Sequence, residues 1–260
     1  MRPDAWVGQA GKSVGFEVLT VDWDKNPSPS HPLEAQFLAV AWKRTTSNQY
    51  PWPVTLFTPI YTPVAASDLV TGPDGLARLS FTPDSPGTYM LDVQGDGVRS
   101  QVMLWVGGTQ QAIWPNLLGG QVRLTADKDS YQASETAQVF IPNPLGPDTL
   151  ALVTTELGTI RTSDVIQIGG AGVSYLVPLT EDSAPNIYVA ATLIGGQEFR
   201  QGYVNLVVEP EAQTLNVALT STPARSQPGG EVTFELRVTD WRDQPVQGEF
   251  SLSVVDLAAL

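Results

Sequence analysis

The hydrophobic positions of the chain fall in short runs rich in Val, Ile, Leu, Thr and aromatic residues, each bounded by Gly, Pro, Asp or Asn. Runs of this kind are strand signals, and no helical period competes with them. Residues 14–23, 33–42, 54–57, 76–81, 88–93 and 101–106 predict the strands of a first β-sandwich that closes at Gly107-Gly108. Pro73-Asp74-Gly75 supplies the positive φ that a hairpin reversal needs, and Pro86-Gly87 does the same before Tyr89. After a polar connection over 116–120, a second set of runs covers 122–125, 136–141, 150–156, 164–168, 174–178, 187–194 and 203–208. Their spacing predicts another sandwich of about 90 to 100 residues. Glu209-Pro210-Glu211 marks the next junction.

The third segment repeats the first. Phe16-Glu17-Val18-Leu19-Thr20-Val21-Asp22-Trp23-Asp24-Lys25-Asn26-Pro27 aligns without a gap on Phe234-Glu235-Leu236-Arg237-Val238-Thr239-Asp240-Trp241-Arg242-Asp243-Gln244-Pro245. Gly11 and Val14 match Gly229 and Val232 in the same register. A supersecondary unit repeated at domain spacing implies an array of like domains. The expected fold class is all-β: tandem antiparallel sandwiches over 1–112 and 113–212, with 213–260 an incomplete third. A half-sandwich would leave strand edges uncovered, so the chain is expected to be a fragment that continues past Leu260.

Composition narrows the function. Acidic side chains number 27 against 14 Lys plus Arg, for a net charge of -13, and no basic run interrupts them. Such a surface releases no counterions from a phosphate backbone and is repelled by anionic lipid, so no nucleic-acid partner is expected. The absence of Cys excludes disulfides, thiolate nucleophiles and Cys-based metal sites. The N-terminus lacks the apolar core of a signal peptide, no run approaches a membrane span, and membrane anchoring is left open.

Several residues invite a chemical reading. The carboxylate pairs Asp22 and Asp24, Asp127 and Asp129, and Glu181 and Asp182 could serve glycoside hydrolysis or bind calcium between domains. Each pair sits at a strand end or turn, where Asp is favoured for local hydrogen bonding. His31, the one histidine, lies in Pro29-Ser30-His31-Pro32. A Ser-His-Asp arrangement would use it, but no Gly-x-Ser-x-Gly marks a nucleophile, and it reads as a solvated loop residue. Gly169-Gly170-Ala171-Gly172 lacks the Lys and the helix of a phosphate loop and reads as a hairpin turn. Tyr89 fits a corner that ties sandwich strands together, and Trp23 and Trp241, at equivalent repeat positions, are expected to share a packing role. No catalytic, cofactor-binding or metal residue is assigned, and no cofactor is expected.

The ordered motifs resemble one family. Thr71-Gly72-Pro73-Asp74-Gly75-Leu76-Ala77-Arg78-Leu79-Ser80-Phe81, then Pro86-Gly87-Thr88-Tyr89 and Leu104-Trp105-Val106-Gly107-Gly108, resemble an immunoglobulin-like, macroglobulin-type domain of bacterial alpha-2-macroglobulins. Leu124-Thr125-Ala126-Asp127-Lys128-Asp129-Ser130-Tyr131 and Ala184-Pro185-Asn186-Ile187-Tyr188-Val189 extend the likeness. Residues 246–260 resemble the family's strand leading into its bait region. The family pattern is broken at Gln132-Ala133-Ser134, where Pro-Gly is common, and at Asp256-Leu257-Ala258-Ala259. The resemblance implies an endopeptidase inhibitor of the cell envelope or exterior, not an enzyme, whose shell collapses on a protease after bait cleavage. Its implied partners are endopeptidases and neighbouring macroglobulin-type domains of the same chain. The bait segment and any Cys-Gly-Glu-Gln thioester would lie beyond Leu260. Short polar linkers with modest interfaces would leave the domains free to rearrange. Composition and repeat alone equally permit a surface adhesion or spacer protein, or the accessory sandwiches of a carbohydrate-processing enzyme.

Overall fold

The computed structural model describes residues 1–47, 54–115, 117, 120–210, 214–227 and 229–255. The described chain is almost wholly β, and it divides into a compact unit Met1–Val208 and a second unit Glu209–Leu260.

The first unit contains two sandwiches. In the first, β1 (Arg2–Pro3), β3 (Val14–Leu19) and β6 (Leu76–Phe81) form a three-stranded sheet. It faces a five-stranded sheet in the order β2 (Val7–Gln9), β8 (Val98–Gly107), β7 (Gly87–Gly95), β4 (Pro32–Ser47), β5 (Val54–Val70). Inward positions alternate along each strand, so Phe16, Phe37, Leu91, Leu104 and Val106 meet between the sheets. The Phe37 and Phe81 rings stack with centroids 4.4 Å apart, and Phe16 tilts against Phe37 at 5.4 Å. Each such side chain contributes about 1.5–3 kcal/mol by leaving water.

The second sandwich packs β9 (Thr125–Ala126), β10 (Thr136–Pro142) and β13 (Gly172–Pro178) against the sheet β12 (Thr159–Ile168), β11 (Thr149–Leu157), β14 (Asn186–Gly195), β15 (Glu198–Val207). Tyr131, Val139, Ile141, Val153, Val189, Leu193 and Leu206 fill its core and are almost fully buried. The second unit holds a hairpin of β16 (Asn216–Thr222) and β17 (Thr233–Thr239).

β1 and β2 precede the first expected strand, β3 ends at Leu19 short of the expected 23, and three further segments depart from the expected pattern. The run expected over 54–57 extends through Val70, because β5 is the outer strand of its sheet, where Pro59 and Pro63 have no outward ladder bond to lose. The register slips by one residue beside Phe37/Leu38, which leaves Val64 unpaired. The expected strand 122–125 is reduced to Thr125–Ala126 plus a bridge from Gln121 to Gln201. The segment likened to the strand before the bait region pairs with no strand over 246–255, where it is held by the Val246 N–H donating to Val238 O at 3.1 Å; Asp256 to Leu260 lie outside the described residues.

Candidate functional site

The residues that draw the two sandwiches of the first unit together come from segments spread along the chain. Near the end of β8, Trp105 faces away from the core that Leu104 and Val106 enter, and the chain after it returns Trp114 to stack on Trp105 at 5.6 Å. Phe140 of β10 meets the other side of Trp114 edge-on at 5.5 Å. With Ala171 these rings form a buried cluster. Trp114 Nε1 donates to Ala171 O at 2.7 Å, so the indole N–H is satisfied inside the joint. Arg123 lies over the Trp105 ring at 5.6 Å.

The glycine run is the matching surface. The Ala171 N–H donates to Gly108 O at 3.1 Å, and Ala171 O also accepts from the Asn143 N–H at 2.8 Å. Gly170 has φ +54, and a Cβ there would stand 2.6 Å from the carbonyl oxygens of both Gly108 and Thr109. Only a residue without a side chain lets the turn press this close. Gly169-Gly170-Ala171-Gly172 is a turn but not the expected hairpin, since it carries the chain from β12 in one sheet to β13 in the other, and it docks on the preceding sandwich.

The N-terminal segment clamps the opposite side. Trp105 N–H donates to Trp6 O, and Trp6 N–H donates to Asp127 O, both at 3.1 Å. Trp6 Nε1 donates to Asp129 Oδ1 at 2.8 Å, and Arg2 approaches the same carboxylate at 3.9 Å. Asp127 Oδ1 accepts from the Gln138 N–H and from the Tyr131 hydroxyl, each at 2.7 Å. Burial, with that carboxylate alongside, pushes the Tyr131 phenol well above its ordinary range. Beside these contacts opens a cleft of about 830 Å³ with seven glycines on its lining and Asp4 and Lys12 its charged side chains. This joint is tighter than the polar linker expected from the sequence; of that linker, residues 116, 118 and 119 lie outside the described residues.

The other candidates lie apart from the joint. Asp22 Oδ1 accepts from the N–H groups of Asp24 and Asn26 at 2.9 Å, and Asp240 Oδ1 accepts from those of Arg242 and Gln244 at 2.8 Å. Lys25 and Asp243 take φ of 66° and 58°, so the sequence repeat is a repeated Asp-anchored turn. The packing role expected for Trp23 and Trp241 fails: the turn projects Trp23 wholly into solvent, and Trp241 is exposed with the Arg242 guanidinium 4.4 Å above its ring. Glu181 and Asp182 lie in a 3-10 turn whose Thr180 N–H donates to Ser183 Oγ at 3.1 Å. Tyr89 is buried, and its hydroxyl donates to Ser85 O at 2.9 Å, tying the strand start to the preceding turn.

His31 is not a solvated loop residue. Its ring is half-buried, with Ser28 Oγ 2.7 Å from Nε2 and Asp96 Oδ2 2.5 Å from Nδ1. Sequence reasoning missed Asp96, 65 residues away in the chain, because no local motif joins the two. It missed Trp6 and Trp114 for the same reason. Among the described residues no three His, Asp or Glu side chains are grouped closely enough to hold a metal ion.

The alpha-2-macroglobulin bait region domain, as a family model, matches residues 122–260, more than half of the chain. An alpha-2-macroglobulin homolog of Nostoc sp. is 24% identical over 218 residues, covering 77% of this chain and 11% of that protein. One from Deinococcus radiodurans is 28% identical over 193 residues, covering 72% of this chain and 17% of its own length. The chain therefore spans less than a fifth of either relative. Among solved structures, the native conformation of Escherichia coli alpha-2-macroglobulin covers 90% of this chain and 15% of its own, at 18% identity and a TM-score of 0.35. With its bait-region half matched and its architecture that of tandem β-sandwiches, the chain belongs to the alpha-2-macroglobulin family.

Proposed function

We propose that the chain is a scaffold portion of an endopeptidase inhibitor that traps proteases by conformational change after bait cleavage, and that it acts outside the cytoplasm, in the periplasm or beyond. The observation that carries this reading is the bait-region match over 122–260. Residues 1–112 and 113–212 would be two macroglobulin-type sandwiches and 213–260 the opening of a third, with the bait segment following. The partners are endopeptidases, engaged through the full-length protein, and adjoining domains of the same polypeptide; neither enzymatic turnover nor a cofactor is assigned to this stretch. The tight joint supports a scaffold role, because a shell that closes as a whole needs pieces that move without deforming.

The test uses the full-length product of the gene. It is incubated with an endopeptidase such as trypsin, and residual protease activity is read with a small peptide substrate and with a large protein substrate. Retained activity on the small substrate, loss on the large one, and a cleavage site downstream of residue 260 are expected. Cleavage that leaves both activities intact would overturn the proposal.

A further inference from the structure

The single histidine of the chain stands in the middle of a hydrogen-bonded relay that the scaffold role does not use. We propose that Ser28 is a nucleophile for acyl transfer from esters, activated by His31 and oriented through Asp96.

The geometry runs carboxylate, imidazole, hydroxyl: Asp96 Oδ2 to His31 Nδ1 at 2.5 Å, then His31 Nε2 to Ser28 Oγ at 2.7 Å. A carboxylate at Nδ1 holds the proton on that nitrogen, which leaves the Nε2 lone pair facing the serine hydroxyl as a base. The loop that carries Ser28 and His31 is rigid by sequence, with prolines at 27, 29 and 32. Its backbone is pinned as well: Ser28 N–H donates to Thr20 O at 2.9 Å, Ser30 N–H to Thr71 O at 3.0 Å, and His31 N–H to Thr71 Oγ1 at 3.0 Å. Ser30 takes φ of 62°, and the reversal brings residues 28 and 31 face to face. Asp96 and Gly97, at φ of 50° and 76°, form the tight turn between β7 and β8, so the third member is also presented by a fixed element.

Access follows from the surroundings. Ser28 and His31 are half-buried and Asp96 is exposed. Asp96, but neither Ser28 nor His31, lines a neighbouring cleft of about 640 Å³, so Ser28 is reached from the open face of the loop.

In the step itself, Ser28 Oγ attacks the carbonyl carbon and a C–O bond forms while the hydroxyl proton passes to His31 Nε2. The bond to the leaving oxygen then breaks, that oxygen keeps the electron pair, and it takes the proton from His31. The products are O-acyl-Ser28 and the free alcohol, with no redox change. Ser28 N–H is already spent on Thr20 O, and residue 29 is a proline with no N–H. Each missing oxyanion donor costs about 10²–10³ in rate, so slow acylation is expected rather than rapid turnover.

The experiment treats the full 260-residue chain with a fluorophosphonate, whose phosphorus stands in for the acyl carbon, and maps the adduct by peptide mass spectrometry over time. Ser30, in the same loop and exposed, lacks the bond to His31 and is the internal control. Ser28 is expected to be labelled at least about tenfold faster than Ser30, short of the about 10²–10⁴-fold that a fully positioned base supplies. His31→Gln should bring Ser28 down to the Ser30 rate; Asp96→Asn should slow labelling and Asp96→Glu restore part of it, with circular dichroism unchanged. Equal labelling of Ser28 and Ser30, or an unchanged Ser28 rate in His31→Gln, overturns the proposal. The comparison of the two serines is made in the unsubstituted chain, so it decides the matter even where a variant does not fold.

Discussion

At the scale of single residues, the positions that matter most are those where a backbone or a charge has one workable solution. Gly170 is one: a Cβ would meet two carbonyl oxygens at 2.6 Å while the backbone holds φ +54. Gly196 has a similar φ of +61 but open space around it. The left-handed conformation alone costs a non-glycine residue about 1–2 kcal/mol. Gly196→Ala should therefore lose about 1 kcal/mol in urea unfolding, and Gly170→Ala about 3 kcal/mol, because the joint must also open. Equal losses would show that the glycine run does not bear on the joint. Asp92 is the other case: it is buried, and Arg99 grips it through Nε at 2.7 Å and Nη2 at 2.8 Å. These bonds hold its carboxyl below the ordinary carboxylate range against the opposing effect of burial. The unfolded chain takes up that proton at about pH 3.9, before the folded one does. The stabilisation is thus fully present above about pH 4 and is lost as pH falls through the lowered value. Asp92→Asn should be less stable than the parent at pH 7, and urea midpoints should converge as the pH drops below about 4.

At the scale of elements, what the sequence revealed and what it hid divide along one line. Alternation of apolar positions placed most strands within a few residues, because burial on one face of a sheet imposes a period of two. It failed on β5, where an edge strand tolerates prolines and exposed side chains and so loses its signature. It also made Trp23 look like core, since a shared residue in a repeat marks a shared turn as readily as shared packing. The joint was legible only as a glycine-rich turn and a few tryptophans; which surfaces they join is a long-range fact that no local pattern carries. The hairpin of β4 and β5 makes a prediction of its own. Pairing of β4 with β7 stops at Val40↔Thr88, whereas pairing with β5 continues from Ala41↔Ile60 to Ser47↔Val54. That outer stretch forms ladder bonds with itself alone and adds little to the sandwich core. Replacing residues 44–57 with Asn-Gly, which joins the cross-strand partners Lys43 and Thr58, should keep the fold and move Tm by no more than about 4 °C. A larger fall would mean that the arm braces the sheet below it.

At the scale of the molecule, the joint decides whether the two sandwiches of Met1–Val208 respond as one body or two. Separate sandwiches linked by a solvated connection would unfold independently, each with its own enthalpy. Here a buried cluster of Trp105, Trp114, Phe140 and Ala171 lies between them, and backbone bonds cross at Ala171 to Gly108 and Trp6 to Asp127. Removing one large aromatic side chain from such a cluster costs about 3–5 kcal/mol. The chain truncated after Val208 should then melt in a single calorimetric transition, with van't Hoff and calorimetric enthalpies in agreement. Trp114→Ala empties the centre of the cluster and removes the bond from its indole to Ala171 O, while leaving both sandwich cores intact. In that variant the scan should resolve into two transitions, and the van't Hoff enthalpy should fall clearly below the calorimetric one. If the unsubstituted chain already melts in two steps, the sandwiches are independent, and any closing motion of the parent protein could bend at this joint. If it melts in one, this stretch moves as a single body, and the proposed closing motion would have its hinges at other boundaries.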